Sequence, residues 1–208
     1  MLNHLRAMRA FNFRCVLSTP FVVVILMLFI AGFSGRPRSP EPVHDTSVLY
    51  NAFELGYFLG KANLFAQKKK TTERRESLKK AFDAGHGLAA CNIPVDVAVI
   101  TTSLKATQIS GFFDNTHDLF EHRYPVLFQT LGLGYFLGEA QVLAKHKKKK
   151  EKQERLVMAR KAAESLSAIG IPVNPAFITP AMHYGQIVGI VRHTEGMLRP
   201  IPYVRPEN

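Results

Sequence analysis

Leu55-Gly56-Tyr57-Phe58-Leu59-Gly60 returns unchanged as Leu133-Gly134-Tyr135-Phe136-Leu137-Gly138. The two hexapeptides lie inside a longer self-match. A shift of 78 places residues 48–111 on 126–189 without a gap, and 28 of those 64 positions are identical. Repetition at a fixed offset constrains architecture before any local element is assigned. Here it predicts an all-α fold: a tandem duplication of a three-helix unit forming one pseudo-twofold helical bundle.

The hexapeptide reads as the middle of a helix. Ala52, Gly56 and Gly60 are spaced by four, as are Thr130, Gly134 and Gly138, so each trio forms one ridge on a helix face. A glycine inside a helix costs about 1 kcal/mol against alanine, and close approach of a second backbone is the usual compensation. The ridges are therefore expected to cross each other. A small-walled groove for an apolar ligand is the alternative use. Leucine at Gly56 or Gly134 should overpack the crossing, with alanine the milder change. Lys61 aligns with Glu139, so near the crossing these two are expected to attract.

The composition fits a globular chain: 208 residues, 47% hydrophobic, net charge +11. Three arginines (Arg6, Arg9, Arg14) precede the first apolar run and all 16 acidic residues follow it. Residues 15–33 are apolar behind that basic start, which reads as an export signal. Cleavage before Gly35 and retention as a membrane anchor are both compatible with it, and either outcome places the body outside the cytoplasm, periplasmic or secreted. The two cysteines, Cys15 and Cys91, fall in different regions and exclude a disulfide framework. Cys91 aligns with Ile169 and is expected to be a small buried hydrophobe.

In order, the chain divides into a signal peptide or anchor (1–34), a proline-rich tether (35–46), repeat 1 (47–122), repeat 2 (123–198) and an extended tail (199–208). Each repeat opens with a long helix, at about 47–68 and 125–146, followed by a second at about 72–90 and 150–168. The intervals hold lysines but neither glycine nor proline. They permit one continuous helix, although a surface hairpin suits so polar an interval better. Pro94 and Pro172 end the second helices, Asp96 and Asn174 look like N-caps, and third helices are expected from Thr101 and Thr179.

Candidate sites are few. His117 and Glu121 share a helical face, and with His122 they are weak candidates for a metal ion. The copy lacks matching ligands, however, and a metal bundle draws its ligands from several helices. Lys147, Lys148, Lys149 and Lys150 form a basic turn that offers contact with an anionic membrane surface, against the plainer reading of a solvated turn. Tyr57 and Tyr135 are expected to serve packing. No catalytic signature or phosphate-cradling loop is spelled out, no cofactor is implied, and nucleic acid is not an expected partner.

The expected function is that of a non-enzymatic extracytoplasmic module binding a protein partner or an apolar small molecule at the cell envelope. A metal-dependent enzyme using His117, Glu121 and His122 is one alternative. Another is a polytopic membrane protein with the glycine-ridge segments, residues 48–66 and 126–144, in the bilayer.

Overall fold

The computed structural model describes residues 45–199, so the expected signal or anchor, nearly all of the tether and the residues from 200 onward lie outside the described part. Among the described residues there are six α-helices and two 3-10 turns, with no strand. The helices are α1 (Thr46–Gln67), α2 (Thr71–Ala90), α3 (Ala106–Arg123), α4 (Pro125–Lys145), α5 (Lys149–Ala168) and α6 (Tyr184–Leu198). The 3-10 turns, Val97–Val99 and Pro175–Phe177, precede α3 and α6.

Asp45 starts α1: its Oδ1 accepts from the Ser47 amide at 2.8 Å and the Ser47 hydroxyl at 2.7 Å. After α1 the chain reverses instead of continuing as one helix. Lys69 takes a left-handed backbone (φ 56°), and the Lys70 amide bonds back to the Phe65 carbonyl at 2.8 Å. Lys147 (φ 57°) does the same between α4 and α5, where the Lys148 amide reaches the Leu143 carbonyl at 3.0 Å. These are Schellman closures made without glycine. Asn92 (φ 59°) and Gly170 (φ 84°) close α2 and α5 in the same manner.

The third helices begin five residues later than expected. Thr101 and Thr179 each head a single turn, with bonds from Leu104 to Thr101 (3.3 Å) and from Met182 to Thr179 (3.2 Å). Lys105 and His183 are then extended, and α3 and α6 start behind them. Gln108 and Gln186 accept from the amides of Lys105 (2.9 Å) and His183 (3.0 Å), half of a capping box, and so fix both starts. Asn174 caps its 3-10 turn through the Ala176 amide at 3.0 Å, whereas the Asp96 side chain caps nothing.

Helices α1 and α4 are buried over most of their circumference, as central helices are, with a half-buried strip on α1 that includes Asn51, Glu54, Lys61 and Phe65. By contrast α2 and α5 bury a single stripe, Leu78, Ala81, Ala84, Gly85 and Leu88 in one, Leu156, Ala159, Ala162, Ala163 and Leu166 in the other. Cys91 is only half-buried at the rim of the core, and its aligned partner Ile169 is 48% exposed. An apolar partner did not imply burial there, because both residues follow the last buried turn of their helices. Among the described residues, α1 and α4 included, no helix is long and apolar enough to cross a membrane. Their small residues face each other, and the interface includes Asn63, Glu139 and Gln141, all buried.

The glycine ridges meet backbone to backbone. A β-carbon added at Gly56 would stand 2.9 Å from the Leu131 carbonyl carbon and nearer still to its oxygen. Gly134 faces the Phe53 carbonyl, Gly60 that of Tyr135, and Gly138 that of Tyr57, each with equal closeness. Advancing four residues along α1 advances four along α4, so the two helices run in the same direction. Such proximity leaves no room for an apolar ligand at the ridge. It also overturns the expectation that alanine is mild, because the clash is with main chain, which cannot rotate away. Nor do Lys61 and Glu139 pair: Lys61 Nζ lies over the Tyr57 ring (5.1 Å) and Arg155 occupies Glu139.

Gly56→Ala and Gly134→Ala should therefore each lower stability by about 3 kcal/mol, at or beyond the upper end of ordinary overpacking. Gly111 and Gly189 have no atom within 4 Å of an added β-carbon. Alanine at either should raise stability by about 0.5–1 kcal/mol through helix propensity. Urea denaturation of the four variants measures both signs.

Candidate binding grooves and the buried polar seam

The seam between α1 and α4 ends in polar groups. The Tyr57 hydroxyl donates to Gln141 Oε1. Asn63 Nδ2 donates to the Tyr135 hydroxyl at 2.8 Å and to Glu139 Oε1 at 3.0 Å. The two tyrosines are 78 apart, as are Asn63 and Gln141, so each tyrosine is held by the amide side chain of the opposite helix. Both tyrosines are 6% exposed, and burial pushes both hydroxyls well above the ordinary tyrosine range. They remain protonated and structural.

Glu139 is 2% exposed. Arg155 Nε approaches its Oε2 at 2.6 Å, a charge contact out of line for a hydrogen bond, so Oε2 has no hydrogen-bond donor. Burial raises the carboxyl above its ordinary range, against Arg155, Asn63 and Tyr135, which lower it. The folded protein thus holds this proton more tightly than the unfolded chain. Stability from Glu139 is full below the unfolded value of about 4.5 and declines as pH rises through the higher folded value.

The metal candidates are not brought together. The His117 ring lies between Phe113 (centroids 5.1 Å) and Phe128 (3.8 Å), half-buried, and burial lowers its pKa despite nearby Asp118, Glu121 and Asp114. Glu121 and His122 are exposed. Among the described residues no three His, Cys, Asp or Glu side chains are grouped to hold a metal ion. The helical spacing was read correctly, but the aromatic neighbours claim the imidazole.

Two surface grooves were missed. The first, about 440 Å³, lies between the Val97–Val99 turn and α3, and its walls include Val99, Leu104, Gln108, Gly111, Phe112 and Asn115. The second, about 480 Å³, lies between the Pro175–Phe177 turn and α6, with Phe177, Met182, Gln186, Gly189, Ile190 and His193 at the corresponding places. Every one of these six pairs is 78 apart. Gln108/Gln186 and Gly111/Gly189 are identical in the two copies, as are Ile109 and Ile187 between them, a signal present in the sequence. The glutamine carbonyls are committed to helix starts, leaving their amino groups free to donate. Gly111 and Gly189 open the groove floors. At the rims, Val99 is 44% and Phe177 57% exposed. The walls mix apolar side chains with hydrogen-bonding groups such as Asn115 and His193.

The basic turn lies between α4 and α5. Lys147, Lys148 and Lys149 line a separate cavity of about 300 Å³ with Ala144, Lys152, His183 and Tyr184, while Lys150 is exposed outside it.

Compared with protein-family models, curated proteins and solved structures, the chain gives no match.

Unfolding titrations between pH 4 and 8 should show Glu139→Gln gaining stability relative to the parent as pH rises above about 4.5, because the variant has no proton to lose. Parallel curves would mean that the Glu139 carboxyl titrates alike in both states.

Proposed function

We propose that the chain is two copies of one three-helix unit, residues 47–122 and 123–198, related by a pseudo-twofold axis through the α1–α4 crossing. In this reading it is a non-enzymatic binding module whose paired grooves take apolar side chains of a protein partner. Export through residues 15–33 places it outside the cytoplasm at the cell envelope, with those residues removed or kept as a tether.

The observation that carries the binding role is the open glycine repeated at the floor of both grooves. Gly111 and Gly189 each cost helix stability, yet no atom packs against them. A feature that costs stability, serves no packing and recurs in both copies fits a surface kept free for something else. The exposed Phe177 and Val99 favour a protein segment over a small molecule, since they form open rims and not an enclosing wall. Equivalent grooves also favour a partner with two anchors, because a second linked contact forms at high effective concentration.

Photo-crosslinking from positions 99 and 177 of the full chain in native membranes should label the same partner. Gly111→Leu and Gly189→Leu, each filling one groove floor, should cut that labelling at least tenfold while leaving the melting temperature near the parent's. Undiminished labelling in the double variant would remove the grooves from the function.

A further inference from the structure

We propose that the cavity formed by the α4–α5 turn, the first turn of α5 and the N-terminus of α6 is a binding site for a phosphoryl oxyanion. This reading does not depend on the grooves. Lys152 is its centre. The residue is 9% exposed, and its ammonium donates to the Met182 main-chain carbonyl. Among the described residues no carboxylate pairs with it; the ion pairs there are Lys148–Glu151, Arg155–Glu139 and Arg160–Glu164. A buried ammonium has three N–H groups and a charge that is costly to desolvate unless an opposite charge compensates it. One neutral carbonyl leaves that demand largely unmet.

The surroundings supply further positive potential. Lys147, Lys148 and Lys149 line the same space with His183. Glu151 touches Lys148 at 3.7 Å, but that pair is more than half exposed and neutralises little of the site. His183 and Tyr184, at the start of the 15-residue α6, line the same cavity, so the positive end of that helix's dipole lies beside it. Gly185 belongs to that first turn, and only the His183 ring would lie near an added β-carbon there. A volume of about 300 Å³ accommodates a phosphate group and the first atoms of its substituent. The aligned position in the other copy, Arg74, is also a partly buried cation, and its Nε has no hydrogen-bond partner. A cation at this place is thus common to both halves, while the lysine-lined cavity belongs to the second.

The shared chemistry is a phosphate monoester or free phosphate, and its source is either soluble or the headgroup of a membrane lipid. Equilibrium dialysis of the full chain against radiolabelled inorganic phosphate should show one saturable site. Lys152→Met keeps the buried stem and removes the charge. Together with the exposed pair Lys147→Gln/Lys149→Gln, it should weaken binding about tenfold or more, as expected for charge-assisted contacts. Lys79→Gln, an exposed change on α2, should leave binding intact. Sedimentation with vesicles of phosphatidic acid, against phosphatidylserine at equal charge, separates the sources. Preference for phosphatidic acid that is lost in the same variants identifies a lipid headgroup, and binding of free phosphate without that preference identifies a soluble ligand. If neither probe binds saturably, or if Lys79→Gln weakens binding as much as the turn variants, there is no site. The exposed double variant decides the matter even where Lys152→Met fails to fold.

Discussion

Everything in this bundle hangs on how closely two main chains approach. At Gly56, Gly60, Gly134 and Gly138 the place of a β-carbon is taken by a carbonyl of the facing helix, in reciprocal pairs. The Cα hydrogens point at those oxygens, the arrangement in which weak C–H···O contacts recur between helices. The approach is too close for any side chain. Because α1 and α4 meet so tightly, each has only its outer face left to cover. The hairpin partners α2 and α5 need just one narrow apolar stripe for that purpose, and much of it is alanine.

Glycine makes the crossing close, but polar groups mark its register. Tyr57 with Gln141 and Tyr135 with Asn63 join the helices beyond the last glycine. A slip of one residue would rotate these groups apart and strand several in an apolar seam, each at a cost of about 1–3 kcal/mol. The seam is not symmetric. Glu139 and Arg155 stand where the other copy has Lys61 and Ser77. One side carries a half-exposed arginine on a buried carboxyl and the other a cation over aromatic rings. Divergence of this kind stops the halves from being interchangeable.

The helices and their pairing were legible because they rest on periodic, short-range signals. Glycine spacing, prolines after the second helices and the lysine intervals all act locally. The late starts of α3 and α6 were less visible, since Lys105 and His183 are poor cap residues by type and the glutamines three positions on do the capping. His117 shows a different limit: helical spacing says which residues share a face, not which neighbours occupy it. The grooves form between elements adjacent in sequence, but no local signal says that a gap is left between them, and the Lys152 cavity joins elements 30 residues apart. For the grooves the clue was identity at Gln108/Gln186 and Gly111/Gly189. For Lys152 there was none, since a lysine beside four others reads as one more solvated charge.

The parallel course of α1 and α4 has a consequence for how the protein is made. Its central contacts join residues 75 and 81 apart, so nothing within the first half can satisfy the first ridge. At about 5–20 residues per second, ribosomal synthesis leaves that ridge uncovered for several seconds before its mate emerges. During that interval the nearest complementary surface is the same ridge on a neighbouring nascent chain. Pairing of two first ridges from different molecules is therefore the natural misassembly of this architecture. Such a pair would lack Glu139 and its contacts to Asn63 and Arg155, which only the α1–α4 pairing makes.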